Sequence, residues 1–492
     1  MKLFLIWPEK PGNLDLRILT RALEEHGHEI LYFVGHERTD AAKAPHAIFH
    51  LHDDAVRVVS AEAVDATFFS PPEEELILRL HHVESTTLTM MNRSFDERSV
   101  DDRKDIYYKM LRYWRGLLEK LRPDAIIFPD MPHFGYDYVL YELAHLLGIR
   151  TIFFDDTRFP GRVLLLHELK EGSLRLRARI LANKGRQFDV SHLSEDIRSY
   201  YEPRVGRGFT QTPAYITDQK KKYSFVYRLL REPSIRKSVL NASFLWKGPR
   251  YIVSVLRKKT LRSWFASISF PFISDLKKEY RKLQTDFNPS GQFVYMPLQK
   301  QPERTTSPQG GVFADQILAI ETLSAALPEG WVIYAKEHPM QWLHFGTRFS
   351  STRYCGYYER IARIRNVKII SPNTSSYELI NGSEAVAAVT GSAGWEAVLR
   401  SKPAILFGTV WYEACPGVTV VKSVGDCRKA FEKVIFGSPI DQKDIINYLK
   451  SLDEATIHAY ISSTAGKASR IRKEECMRNI AEALIKELTS LK

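Results

Sequence analysis

The feature that most constrains the fold is an alternation of short apolar runs with amphipathic helical patterns, which occurs twice and is broken between its two occurrences. KLFLIW, a Pro/Gly loop, LDLRILTRALEEHGHEI and LYFVG read as strand, loop, helix and strand. A helical pattern over 100–122 leads through Pro123 and Asp124 to the buried run AIIFPD. VLYELAHLLG follows, closed by Gly148 at a C-cap position, and then IRTIFFDD. From about 166 to 285 the alternation is lost. It resumes with a strand at 292–298, a helix at 313–326, the strand WVIYAKEHP, a strand at 367–371, a helix at 375–382, the strand AVAAVTG, a helix at 393–400 and the strand PAILFG. Strands joined through helices pair in parallel, because the crossover returns the chain to the same end of the sheet. The expected fold is therefore α/β, with two doubly wound units at 1–165 and 291–450. A helical insertion at 166–290 separates them, and helices at 451–492 could reach back across the junction.

A length of 492 residues agrees with two or three units, and 44% hydrophobic against 26% charged residues suits globular cores. Cys355, Cys415, Cys427 and Cys476 include no CxxC pair, so neither a disulfide framework nor a zinc knuckle is indicated, and a reducing compartment is expected. The apolar run before Pro8 is only five residues long, too short for a signal-peptide core, and no run nears the roughly 18–20 apolar residues that span a bilayer. The expected location is the cytoplasm. Charge is concentrated: Lys220 to Arg262 holds 13 basic residues against the single acid Glu232, which matches the net +12 of the whole chain. Trp246, Trp264, Phe225 and Phe244 interleave with them, as in an element lying on an anionic membrane surface. A solvated helical face is the plainer alternative. Nucleic acid is not expected, since no nucleic-acid motif accompanies the charge.

In parallel sheets ligands bind beyond the carboxyl ends of the strands, which directs attention to the loop after each strand. Thr390-Gly391-Ser392-Ala393-Gly394-Trp395-Glu396 passes from strand to helix through small residues, so a phosphate can approach the backbone, and Glu396 can bond a ribose hydroxyl. Tight packing is the competing reason for such a turn. Lys336-Glu337-His338-Pro339 offers a cation and an imidazole to an anionic leaving group, unless the histidine is structural. Gln299, Gln301, Glu303, Arg304 and Thr305 make a third polar loop. In it Glu303 is a candidate base, nucleophile or sugar ligand, or else an ordinary surface acid. In the first unit His133 and Asp156 are candidate acid/base groups. Asp155 and Asp156 have no third ligand at a recognisable spacing, so no metal is expected.

At these loops the sequence resembles the capsule polysaccharide biosynthesis family, which includes bacterial transferases of 3-deoxy-manno-octulosonic acid (Kdo). The resemblance rests on KEHP at 336–339, TGSAGWEAVLRSKPAILFG at 390–408, WYE at 411–413 and QPE at 301–303. It covers about 290–420 well and the first unit loosely, through RPDAIIFPDMPHFGYDYVLYELAHLLGI. It implies a GT-B architecture: two Rossmann-like domains facing a cleft, with the nucleotide on the C-terminal one. Gln301, Lys336, His338, Ser392, Ala393 and Glu396 would then contact the donor. Glu303 stands about where related Kdo transferases carry an aspartate. The implied activity moves a sugar from a nucleotide donor, CMP-Kdo being one candidate, to a surface-polysaccharide or lipid-linked acceptor. No cofactor is expected. The basic stretch 220–262 has no counterpart in the family, and its own composition is what would set it on the inner face of the plasma membrane. A nucleotide-sugar epimerase on the same fold and a non-catalytic membrane-associated scaffold are the rival readings.

Overall fold

The computed structural model describes residues 1–8, 14–205, 275–341 and 352–490. The first sheet contains β1 (Lys2–Ile6), β2 (Glu29–Gly35), β3 (Ile48–Leu51), β4 (Ala125–Ile127), β5 (Arg150–Asp156) and β6 (Arg162–Leu166). The second contains β7 (Gln284–Thr285), β8 (Phe293–Pro297), β9 (Val332–Lys336), β10 (Val367–Ile370), β11 (Ala385–Ala388), β12 (Ala404–Leu406) and β13 (Val418–Val420). A last strand, β14 (Ile457–His458), returns to the first sheet. The strand orders are β14-β6-β5-β4-β1-β2-β3 and β13-β12-β11-β8-β9-β10-β7. Pairing is parallel throughout the second sheet and from β1 to β5 in the first, whereas β6 and β14 run antiparallel. The α/β expectation with two doubly wound sheets holds.

Continuous apolar strands are what this arrangement demands, since helices cover both faces of each sheet. Along β1, Leu3, Leu5 and Trp7 enter one core while Phe4 and Ile6 enter the other. The long helix Val100–Leu121 starts where the Ser99 hydroxyl accepts from Asp102 N at 3.1 Å, and Asp101 and Asp102 complement its dipole. Its buried face carries Tyr107, Met110, Leu111, Trp114, Leu117 and Leu118, at the three-and-four spacing of one helical stripe. Trp114 is 1% exposed, and truncating such a residue to alanine costs about 3–5 kcal/mol.

The described parts of the interrupted middle include helices Leu174–Ala182, Glu195–Tyr201 and Asp275–Leu283. Residues 162–166 form β6 at the end of the first unit, and β7 joins the second sheet at 284–285, ahead of the boundary expected at 291. A Gln-Thr pair has no apolar run to announce it. The basic stretch 220–262 lies outside the described residues. After β13 the chain recrosses: helix Gln442–Ala455 packs on helix Leu174–Ala182, and helix Lys473–Ser490 packs on helix Leu16–Glu25. Arg162, with its side chain 1% exposed, ties this return together, pairing with Asp196 at 2.7 Å and Asp453 at 2.8 Å and donating to Thr456 Oγ1 at 3.1 Å. Burial raises the Asp196 carboxyl, but hydrogen bonds from Arg162 and Ser194 outweigh it and bring the pKa down to about 2. Among the described residues no helix is long and apolar enough to cross a membrane.

Candidate functional site

In each sheet two strands that are neighbours in space carry crossovers leading in opposite directions: β1 and β4 in the first, β8 and β11 in the second. The loops that follow such a pair diverge, and the gap between them is where ligands enter this kind of sheet. The two carboxyl edges face each other. Arg304, in the loop after β8, forms an ion pair with Asp130 beyond β4 and another at 3.3 Å with Asp155 of β5. A crevice between the two units is lined by Arg93 and His133 from one side and by Gln301, Glu303, Thr306 and Thr352 from the other.

The C-terminal wall is built around Lys336. Leaving β9, its Nζ donates to Thr374 O at 2.8 Å and to Ser376 Oγ at 2.6 Å, and it lies 5.6 Å from the Tyr295 ring centroid. Burial lowers its pKa to about 8, against the opposing pull of Glu396. At neutral pH the ammonium therefore remains mostly charged. Next to it, Glu337 is fully buried, held by Arg353 Nε at 2.8 Å and by the Tyr358 hydroxyl at 2.7 Å. Glu337 Oε1 accepts from His338 N at 2.7 Å, so the buried ion pair fixes the backbone from which the imidazole projects. His338 Nδ1 accepts from Met340 N at 3.2 Å, which puts the proton of the neutral ring on Nε2. Burial, opposed by Glu337, lowers the His338 pKa and keeps that form at neutral pH.

Beyond β11, Gln299 ties two loops together: its Oε1 accepts from Thr390 N at 3.0 Å and its Nε2 donates to Thr390 Oγ1 at 3.2 Å. Ser392 Oγ donates to Glu396 Oε1 at 3.4 Å, and Ser392, Ala393 and Glu396 are all half-buried at this edge. Burial raises the Glu396 carboxyl, with Arg158 and Arg400 acting against it. The packing explanation of the small-residue turn also has force, because a Cβ on Gly394 would meet the Tyr412 hydroxyl at 2.7 Å.

The N-terminal wall has the opposite character. His133 Nδ1 lies 2.7 Å from Met131 O, which can only accept, so the proton sits on Nδ1 and Nε2 keeps a free lone pair. Burial, reinforced by Arg93 and Arg304, drives its pKa well below the usual histidine value. Asp137 holds this loop, accepting from His133 N at 3.1 Å and Phe134 N at 2.7 Å. Asp155 is buried, and burial raises it to about 7 despite Arg304.

Two sequence assignments change. Asp156 does not stand free for proton transfer: its two oxygens accept from Ile461 N and Ser462 N, each at 3.2 Å, and anchor the returning C-terminal segment. Successive strand residues point to opposite faces, so of this pair it is Asp155 that meets Arg304. Gln301 is a strut rather than a free ligand contact. Its Oε1 accepts from Arg353 at 2.7 Å and Gln316 at 2.8 Å, and its Nε2 donates to Ala314 O at 2.7 Å. His133 and Glu303 do share one crevice, and the charges of Glu303 and Lys336 both act on His338. Arg93 was missed. It precedes a helix rather than following a strand, and only the tertiary structure brings its guanidinium over Phe134, 5.6 Å from the ring centroid. Among the described residues no group of three or more His, Cys, Asp or Glu is placed to hold a metal ion.

Two doubly wound sheets meeting at their carboxyl edges, with switch-point loops lining the gap, define the GT-B class. Residues 277–442 match the family model described as capsule polysaccharide biosynthesis protein. Among curated proteins no match is found. Among solved structures, the chain is similar to the β-Kdo 2,7 transferase KpsC of Thermosulfurimonas dismutans, at 11% identity over 75% of this chain and 88% of that one, TM-score 0.30. It is also similar to UDP-GlcNAc 2-epimerase of Neisseria meningitidis, at 11% identity over 100% of both chains, TM-score 0.24. A third likeness is to CalG4, the calicheamicin glycosyltransferase, at 10% identity over 95% of this chain and 97% of that one, TM-score 0.24. Values this low say nothing about substrate, and the fold class rests on the strand order itself.

Proposed function

We propose that the chain transfers a sugar from a nucleotide-activated donor to a surface-polysaccharide or lipid-linked acceptor, working at the cytoplasmic face of the membrane. The observation that carries the reading is the division of the cleft: donors of positive charge and protons on the C-terminal wall, a free imidazole lone pair on the N-terminal one. Lys336 and the His338 Nε2–H would receive the negative charge that builds on the departing phosphate, and stabilising charge where it develops is the largest common source of catalysis. Ser392, Ala393 and Glu396 would hold the nucleotide beside them. Glu303 or His133 would take the proton from the attacking acceptor hydroxyl, and both face the shared crevice. Closure of the two units would exclude water from the activated donor. CMP-Kdo is one candidate donor, and residues 220–262 are the candidate membrane contact.

The test is a thermal-shift screen with CMP-, UDP-, GDP- and dTDP-linked sugars, since a ligand that binds only the folded state raises the melting temperature. The stabilising donor is then incubated with acceptor glycans and the products are analysed. Transfer that is lost in His338→Ala supports the reading. Isomerisation of the donor without any acceptor would replace it with the epimerase, and liposome binding without turnover of any donor would replace it with the scaffold.

A further inference from the structure

The loop after β8 carries two charged neighbours with different partners. Glu303 lies on the C-terminal side, paired with Lys300 at 3.0 Å, while Arg304 reaches over the cleft to Asp130 and Asp155. The turn that these adjacent residues open is stiff. Thr306 N and Ser307 N each donate to Glu303 O at 3.0 Å, Thr306 Oγ1 donates to the same oxygen at 2.9 Å, and Thr390 Oγ1 donates to Thr305 O. Gln301 anchors the entry to the turn through Arg353, Gln316 and Ala314. A displacement of Arg304 is therefore passed to Glu303 rather than absorbed between them.

The far end of the contact is equally specific. Asp130 and Asp155 meet Arg304 on the N-terminal wall, with the charge of Asp156 close enough to act on both carboxyls, and Arg304 is the cation that bridges them to the other unit. Breaking a largely desolvated pair of this kind leaves like charges facing one another without compensation. The same wall carries His133, so the register that Arg304 sets between the units also sets the separation between His133 and Glu303.

We propose that Arg304 is a positioning residue: by clasping Asp130 and Asp155 across the cleft, it holds the units closed and places the Glu303 carboxylate against the N-terminal wall where the acceptor is deprotonated. This rests on the transferase reading above. Lys336 is held by Thr374 and Ser376, and Ser392 by Glu396, rather than by Arg304, so the clasp governs turnover and not capture of the nucleotide.

The experiment uses the full chain as wild type, Arg304→Gln, Arg304→Lys, Asp155→Asn and the double variant Arg304→Gln/Asp155→Asn. A misplacement of about 1 Å in a catalytic group lowers rate about 100-fold, and that is the fall in kcat expected for Arg304→Gln, with donor KM and nucleotide Kd within about twofold of wild type. Arg304→Lys keeps the charge without the fork and falls between the two. If both residues act through one clasp, the double variant loses no more than Arg304→Gln alone. Small-angle scattering reads the closure independently of activity: Arg304→Gln and Asp155→Asn both give a larger radius of gyration than wild type. Unchanged kcat in a folded Arg304→Gln, additive losses in the double variant, or an unchanged radius would each overturn the inference. Should Arg304→Gln fail to fold, Asp155→Asn reads the same contact from the other side. A wild-type chain that turns over no donor would instead sink the transferase reading, and the scattering comparison would still decide whether the clasp exists.

Discussion

The two walls of the cleft each present a histidine, and local backbone geometry gives the two rings opposite protons. On the C-terminal wall a backbone N–H claims His338 Nδ1, so Nε2 donates; on the N-terminal wall a backbone carbonyl claims His133 Nδ1, so Nε2 accepts. Their surroundings agree with the split, with Lys336 beside the donor and the Asp130, Asp155 and Arg304 cluster near the acceptor. A sequence records two histidines after two strands. What separates a proton-giving site from a proton-taking one is the identity of one neighbouring main-chain atom.

That contrast breaks first, and most visibly, at Glu303. Glu303→Gln keeps the shape and removes the base, so kcat should fall by about 10²–10⁴-fold while nucleotide affinity stays within twofold by calorimetry. A parallel loss of nucleotide binding would erase the division between the walls. On the same wall, Lys336→Met removes hydrogen bonds to a charged group, and donor affinity should fall by about 10–100-fold, measured by titration with the stabilising nucleotide sugar. A pH series sharpens the same point. Because burial lowers Lys336 to about 8, donor affinity should be constant below pH 7 and decline toward tenfold per unit above pH 8, as the ammonium loses its proton. Lys336→Arg should flatten that profile. The smallest effect is expected at Asp156, which caps backbone amides: Asp156→Asn should cost about 1 kcal/mol in denaturant unfolding and leave transfer within twofold. A large activity loss there would return Asp156 to the catalytic wall.

Much of this arrangement could be read before any coordinates, for a physical reason. Parallel strands buried on both faces leave long apolar runs, and the rule that ligands gather past their carboxyl ends picks out KEHP, TGSAGWE and QPERTT directly. Individual side chains were less legible. Asp155 and Asp156 are equivalent in one dimension, and only the pleat decides which of them meets Arg304. Gln301 looks like a ligand contact until Arg353, 52 residues away, takes its oxygen. Arg93 carries no signal in its own segment, because its placement depends on how Phe134 is presented by a distant loop. β14 escaped for a related reason, since a two-residue antiparallel edge such as Ile457–His458 has too few residues to show a period.

The pairing of β14 with β6 bears on the order in which the chain matures. Arg162 waits for Asp453, 291 positions downstream, and the border of the first sheet stays open until that stretch has left the ribosome. A vacant β edge is a template for unwanted association, so the emerging N-terminal half needs that edge shielded during synthesis.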